Sequence, residues 1–299
     1  MTAEQRISRR QFMKQHHKSS RLLEMWRIFS HNRLAMLGLV LFLILMVLVL
    51  FADVFADYNK LAIGTDPMNR LQGPSWQHLF GTDELGRDIF ARVIHGGRIS
   101  LRISVGSVLV GLVIAAIIGS LAGYCGGVVD IIVMRFIDIM SCVPCMVLAI
   151  ALVAALGTSE FNLILALAIS TVCGTSKIVR SAVLSVRNME YVEAGRAIGQ
   201  ATWKIILKHI LINCVAPIIV HCTMMVASNI IATASLSFLG MGVSAPAPEW
   251  GCMISSARSN MRMYPYLVIA PGLAIFVSSV SFNLIGDGLR DALDPKMKR

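Results

Sequence analysis

Six apolar blocks, each closed by charged positions, punctuate the sequence. All but the fourth are long enough by themselves to cross ~30 Å of hydrocarbon as a helix, which takes about 20 residues. The predicted spans are 34–55, 100–124, 136–157, 161–180, 214–239 and 264–286. The first three follow from uncharged runs between Arg33 and Asp53, Arg102 and Asp130, and Asp138 and Glu160. The fourth run is short before Lys177, whose stem can snorkel to the interface and let the helix continue. The fifth ends where Gly240, Gly242, Pro246 and Pro248 mark a loop. The pattern predicts an all-α membrane protein of six transmembrane helices, with an N-terminal segment at 1–33 and a transmembrane domain at 34–299. The first block lacks a small-residue cleavage pattern and is expected to remain as an anchor.

Two segments outside the spans carry their own periodicity. Between Thr82 and His95, Leu85, Ile89, Phe90, Val93 and Ile94 share one helical face, which predicts a helix in the interface capped by Thr82. The segment 187–213 is polar and has few turn residues besides Gly195 and Gly199, so it reads as two short helices that project from the bilayer. Tyr191, Ala194 and Ile198 fall on one face of the first. Trp203, Ile206, Leu207 and Ile210 form a stripe on the second.

Composition supports the membrane reading. Of 299 residues 56% are hydrophobic and 15% charged, where a soluble domain carries about a quarter charged. The net charge of +10 flanks apolar blocks instead of forming a basic patch with interleaved aromatics, so anionic lipid is the expected counter-charge and nucleic acid is not a partner. Lys and Arg also orient the chain. Arg6, Arg9, Arg10, Lys14, Lys18, Arg21, Arg27 and Arg33 place the N-terminus in the cytoplasm. Lys177, Arg180, Arg187, Arg196, Lys204 and Lys208 place the 187–213 segment there, and Arg290, Lys296, Lys298 and Arg299 the C-terminus.

Few residues carry chemistry. Arg135 and Asp138 are spaced for a helical ion pair at the entrance of span three, near Asp130. Cys142 and Cys145 flank Val143-Pro144, a spacing compatible with redox or metal chemistry but read here as a proline kink, because no His or third Cys stands within a turn. The seven cysteines imply no disulfide framework. His209 and His221 are read as packing residues, and no catalytic set or metal site is assigned. Gly106, Gly111 and Gly119, with Ala115, Ala116 and Ala122, give span two a small-residue stripe for close helix approach. No Gly-x4-Gly-Lys-Ser/Thr loop is present, so this chain does not itself supply the phosphate cradle of an ATPase.

These residues also carry a resemblance. Glu193-Ala194-Gly195, then Gly199 and Ile210-Leu211, resembles the "EAA" loop of ABC-importer permeases. Further similarity lies in Phe80 to Asp88, in Met134-Arg135 with Asp138, in Phe238 to Gly242 followed by Pro248 to Gly251, and in Phe282 to Asp291. Together they resemble the second, "C", permease subunit of dipeptide, oligopeptide and nickel importers, with a type I importer-like fold. Gly195 stands where that family usually has alanine and Ile212 where it usually has proline.

The resemblance implies a cytoplasmic coupling helix in which Glu193, Ala194, Gly195, Arg196 and Gly199 meet an ATPase. It implies two cytoplasmic ATPase subunits that bind ATP and Mg, a second permease subunit forming a heterodimer, and an extracytoplasmic solute-binding protein, with no cofactor on this chain. The expected location is the bacterial inner membrane and the expected solute a dipeptide or oligopeptide, with nickel or a metal chelate as the alternative. A secondary transporter, a channel and an intramembrane enzyme fit less well: no related halves are visible, the projection needs a use, and no catalytic set converges.

Overall fold

The computed structural model describes residues 21–293. Most of the predicted 1–33 segment, with Arg6, Arg9, Arg10, Lys14 and Lys18, and the tail bases Lys296, Lys298 and Arg299 lie outside the described residues.

The apolar blocks fold as helices. An amphipathic α1 (Arg21–His31) precedes α2 (Arg33–Leu50), whose N-terminus is capped by Asn32 accepting from the backbone N–H groups of Leu34 and Ala35. After a loop come α3 (Ile89–Cys125), α4 (Gly127–Cys142), α5 (Cys145–Leu156) and α6 (Glu160–Val186). The short α7 (Glu190–Ala197) leads to α8 (Thr202–Met241), α9 (Trp250–Ser256) and α10 (Tyr266–Leu293). Among the described residues five helices are long and apolar enough to cross a membrane, or six if α4 and α5 make one broken span bent by 86°.

That break falls at Val143-Pro144. Proline has no N–H to donate and disfavours helical geometry at the residue before it, so α4 ends at Cys142 and α5 starts at Cys145. The third predicted span is therefore not straight, and the proline between Cys142 and Cys145 marks a break in the helix.

α3 and α6 run parallel, and the small residues of α3 seat their seam. A Cβ at Gly111 would lie 2.7 Å from Thr171 Cβ and 2.9 Å from the Ala168 carbonyl, and one at Gly119 2.6 Å from the Ser176 carbonyl. Only the missing side chains allow the two backbones this separation. Asn229 of α8 ties the pair together, its Nδ2 donating to Ser107 Oγ at 2.7 Å and to Thr171 Oγ1 at 3.2 Å. α10 lies against α2 and α8: Gly288 meets Ala35, Gly38 meets Leu284, and Gly286 meets Thr223. Alternating crossings put α1, α7 and the last turn of α10 at one end of the bundle, and the 56–88 loop and α9 at the other.

Two predicted elements differ. The Thr82–His95 helix is instead a hydrogen-bonded loop to Asp88 followed by the first turns of α3; Asp88, not Thr82, caps it by accepting from the Ala91 N–H. Thr82 is buried and accepts from the Gln72 N–H. The predicted one-sided face does not hold: Leu85 lies in the loop and is exposed, and in the first turns of α3 Arg92 and His95 are buried alongside Ile89, Val93 and Ile94, because protein covers the helix on all sides there. In 187–213 only α7 is a separate helix. The second short one is the start of α8, which runs through a π-helical turn at Ile206–Leu211 without stopping.

Candidate functional site

Local chemistry fixes α7 at its end of the bundle. Its C-terminus is a Schellman turn: the Gly199 N–H donates to the Arg196 carbonyl at 3.0 Å and the Gln200 N–H to the Gly195 carbonyl at 3.1 Å. This geometry needs a left-handed residue, and Gly199 sits at φ +73°. Glu190 and Glu193 lie in the first turn, where negative charge complements the helix dipole.

The underside of α7 is its anchor. Val192 is 0% exposed and packs into a cluster with Val179 and Val183 of α6 and Ile205, Ile210 and Cys214 of α8. Gly195 is also buried, and a Cβ there would lie 3.2 Å from Gln200 Oε1 and 3.7 Å from Ile205 Cγ1. Glycine in place of the family's alanine thus meets a tight but adjustable contact, since Gln200 is a flexible side chain whose Oε1 stands 3.0 Å from His209 Nε2. Arg196 lies 4.8 Å over the Tyr124 ring and donates from Nε to Tyr124 Oη at 3.2 Å, while Arg187 donates to the Gly123 carbonyl at 3.0 Å. Two arginines therefore hold the loop to the negative, C-terminal end of α3.

The outer face is the reverse. Glu193, Ala194, Ala197 and Gly199 are exposed, as are Tyr191 and Ile198, the latter at 80%. The Tyr191, Ala194 and Ile198 face is thus apolar but unpacked, and the inward positions are Val192 and Gly195. The stripe on the following turns divides: Ile206 and Ile210 are buried, Trp203 and Leu207 exposed. Glu193, Ala194, Gly195, Arg196 and Gly199 are legible from the motif; Arg187 is legible only as a cytoplasmic charge, and Val192 and Tyr124 not at all. Spacing grouped Tyr191, Ala194 and Ile198 on one face and gave Val192 no distinct role. The Tyr124 contact joins distant parts of the chain and left no local signal.

Around this end the ion pairs differ from expectation. Asp138 is held by Lys177 Nζ at 2.8 Å, and Asp130 pairs with Arg180. Arg135 is exposed and forms no ion pair with Asp138. Spacing along α4 permitted the local pair, but α6 runs beside α4 and supplies nearer cations.

The opposite end is locked by Glu249 and Trp250, both 1% exposed. Glu249 caps α9, accepting from the Gly251 and Cys252 N–H groups at 3.0 and 2.9 Å and from Ser100 Oγ at 3.0 Å. Trp250 Nε1 donates to the Val93 carbonyl at 2.8 Å. Both side chains pin α9 to α3 and present no surface to a soluble protein. Burial and the Glu249 carboxylate push the Cys252 thiol up to about 12. Because the thiolate is the reactive form, at about pH 8.5 Cys252 carries roughly three orders of magnitude less thiolate than an ordinary cysteine. Alkylation followed by peptide mass spectrometry is expected to label the exposed Cys125 and spare Cys252; comparable labelling of the two would contradict this packing.

Comparison with known proteins agrees with this architecture. The family profile described as "binding-protein-dependent transport system inner membrane component" matches residues 107–299, and that of the N-terminal transmembrane domain of oligopeptide transport permease C matches 20–74. The chain is 43% identical to the dipeptide transport system permease protein DppC of Alkalihalophilus pseudofirmus, covering 92% of this chain and 90% of that one. It is 42% identical to the glutathione transport system permease protein GsiD of Pectobacterium atrosepticum, covering 92% and 91%. It is 41% identical to the di/tripeptide permease DppC of Pseudomonas aeruginosa, covering 93% of each. Among solved structures, the inward-facing MetNI methionine ABC transporter has a TM-score of 0.52 at 15% identity, covering 66% of this chain and 96% of that chain. An amino acid ABC transporter crystallised with histidines has 0.51 at 16%, covering 67% and 92%. These two likenesses concern the fold, that of a type I importer permease. Five long apolar helices with a broken α4–α5 pair, a family profile over residues 107–299 and near full-length similarity to named permeases meet in one conclusion: the chain belongs to the family of binding-protein-dependent transport system inner-membrane components.

Proposed function

We propose that the chain is one of two pore-forming subunits of an ATP-driven importer for di- and oligopeptides, placed in the inner membrane with both termini and α7 in the cytoplasm. The excess of Lys and Arg at the α7 end supports this orientation. Two ATPase subunits supply ATP and Mg chemistry, a sibling permease completes the pore, and an extracytoplasmic binding protein delivers the solute. Relatives named for dipeptides, di/tripeptides and glutathione favour a peptidic solute over nickel. Among the described residues no group of three or more His, Cys, Asp or Glu is placed to hold a metal ion.

The observation that carries the coupling role is the two-sidedness of α7. Its outer face is free, while Val192 embeds its underside among residues of α6 and α8. Closure of an ATPase pair against the outer face would push α7, and through Val192 and the Arg196–Tyr124 contact would tilt α6, α8 and the end of α3 together. Packed interfaces of this kind switch between discrete arrangements instead of deforming smoothly, which suits alternation between inward- and outward-facing states.

A cysteine at Ala194 tests the docking. In the assembled complex, Ala194→Cys is expected to cross-link to an ATPase subunit and Ser181→Cys, exposed on α6 outside the loop, is not. No cross-link from position 194 in an intact complex would remove the docking assignment.

A further inference from the structure

At the α4–α5 break the bundle holds a cavity of about 380 Å³, walled by α4, α5, α6 and α8. Its volume falls in the range of small-molecule sites. Three properties separate it from a packing defect. First, its wall contains no Asp, Glu, Lys or Arg but does carry Ser170, His221 and Asn229. Second, polar groups of that wall are under-used: Ser170 Oγ and His221 Nε2 are buried without any hydrogen-bond partner. A buried polar atom left unpaired destabilises a fold, so two in one wall of a natural protein call for a use. Third, the apolar part of the lining is rich in methionine, with Met140, Met146 and Met225. Unbranched, polarisable thioethers repack around differently shaped guests.

Resting on the importer reading above, we propose that this cavity is a way-station for the transported peptide that reads its backbone and not its side chains. A peptide leaving water for this low-dielectric space brings amide N–H and C=O groups that have to be paired. Ser170 and His221 supply a hydroxyl and an imidazole without partners, and Asn229, whose Nδ2 already donates to Ser107 and Thr171, supplies only its Oδ1 as an acceptor; none of these selects a particular residue type. The methionines take the side chains whatever their size. The location also fits a transient site: the cavity lies between the broken α4–α5 pair and the two helices that α7 would move, so the same push that couples ATP would reshape its walls.

Cys145 lines the cavity and is exposed, whereas Cys125 is exposed but no part of the lining, so the protein carries its own reporter and control. The complete importer, reconstituted in vesicles with its binding protein, is treated during ATP turnover with a small thiol reagent, with and without dialanine or diphenylalanine. Both dipeptides are expected to slow labelling of Cys145 about threefold at a concentration about twice that which half-fills the site, and to leave Cys125 unchanged. As a second measurement, Met225→Trp, which fills the space without removing a polar group, is expected to depress uptake of diphenylalanine about tenfold more than that of dialanine. Unchanged Cys145 labelling together with equal effects of Met225→Trp on the two dipeptides, in complexes that do import peptide, would overturn the way-station alone. A wild-type complex that imports no peptide would overturn both it and the importer reading.

Discussion

Replacing Gly199 by valine is expected to cut ATP-driven peptide uptake about tenfold or more while the bundle still inserts and folds. The separation of these effects follows from the geometry. Among the described residues nothing lies within 4 Å of where a Cβ would sit at Gly199, so the substitution causes no clash there. What it opposes is the φ of +73°, which costs an L-residue about 1–2 kcal/mol and more for a β-branched one. Relaxing that strain means giving up the two turn hydrogen bonds to the Arg196 and Gly195 carbonyls, which re-aims the end of α7 and its exposed Ile198. Valine also puts bulk on the outward side. Gly199→Ala pays the backbone cost without most of that bulk and is expected to retain more uptake. The readouts are solute accumulation in vesicles, ATP hydrolysis stimulated by loaded binding protein, and thermal unfolding of the purified complex. Normal uptake by Gly199→Val would show that α7 transmits nothing.

A large loss of stability is expected from Gly96→Val. At Gly96 a Cβ would stand only 1.8 Å from the Pro248 carbonyl oxygen and 3.2 Å from the Trp250 ring. The opposing atom is backbone, held in place by the hydrogen bonds of Glu249 and Trp250 to α9 and α3, so no flexible side chain can give way. Overpacking on this scale costs about 3 kcal/mol or more and drives α9 off α3. The unfolding midpoint of the detergent-purified protein should fall steeply, with a low yield of folded material. Gly272→Ala in α10, where an added Cβ meets nothing within 4 Å, is the control and should leave the midpoint near that of the wild type. Equal midpoints for Gly96→Val and wild type would show that the α3–α9 lock is loose.

Much of this architecture is legible in the sequence because a lipid environment enforces it. An uncharged run of about 20 residues has few alternatives to a spanning helix, and the glycine and alanine positions of 106–122 announce a close helix contact without naming its partner. Residue spacing failed wherever the answer lay on another helix. Asp138 had Arg135 one turn away, yet Lys177 of α6 reaches it. Glu249 and Trp250 follow the loop that Pro246 and Pro248 signal, but their partners Ser100 and Val93 are about 150 residues earlier. For α7, the motif residues could be named from sequence, while the inward role of Val192 and the bond to Tyr124 became visible only with α3, α6 and α8 assembled around it.

The length of α3 has a consequence for how the bundle stands in its membrane. Its 37 residues rise roughly 55 Å, against ~30 Å of hydrocarbon, so the helix is a mast taller than the sea it crosses. Arg92 and His95, buried near its tip and bonded to the carbonyls of Ala62 and Ala56, are sheathed by polypeptide and not by acyl chains. That end of the bundle therefore offers a soluble visitor a surface of folded polypeptide, built by the 56–88 loop and the tip of α3.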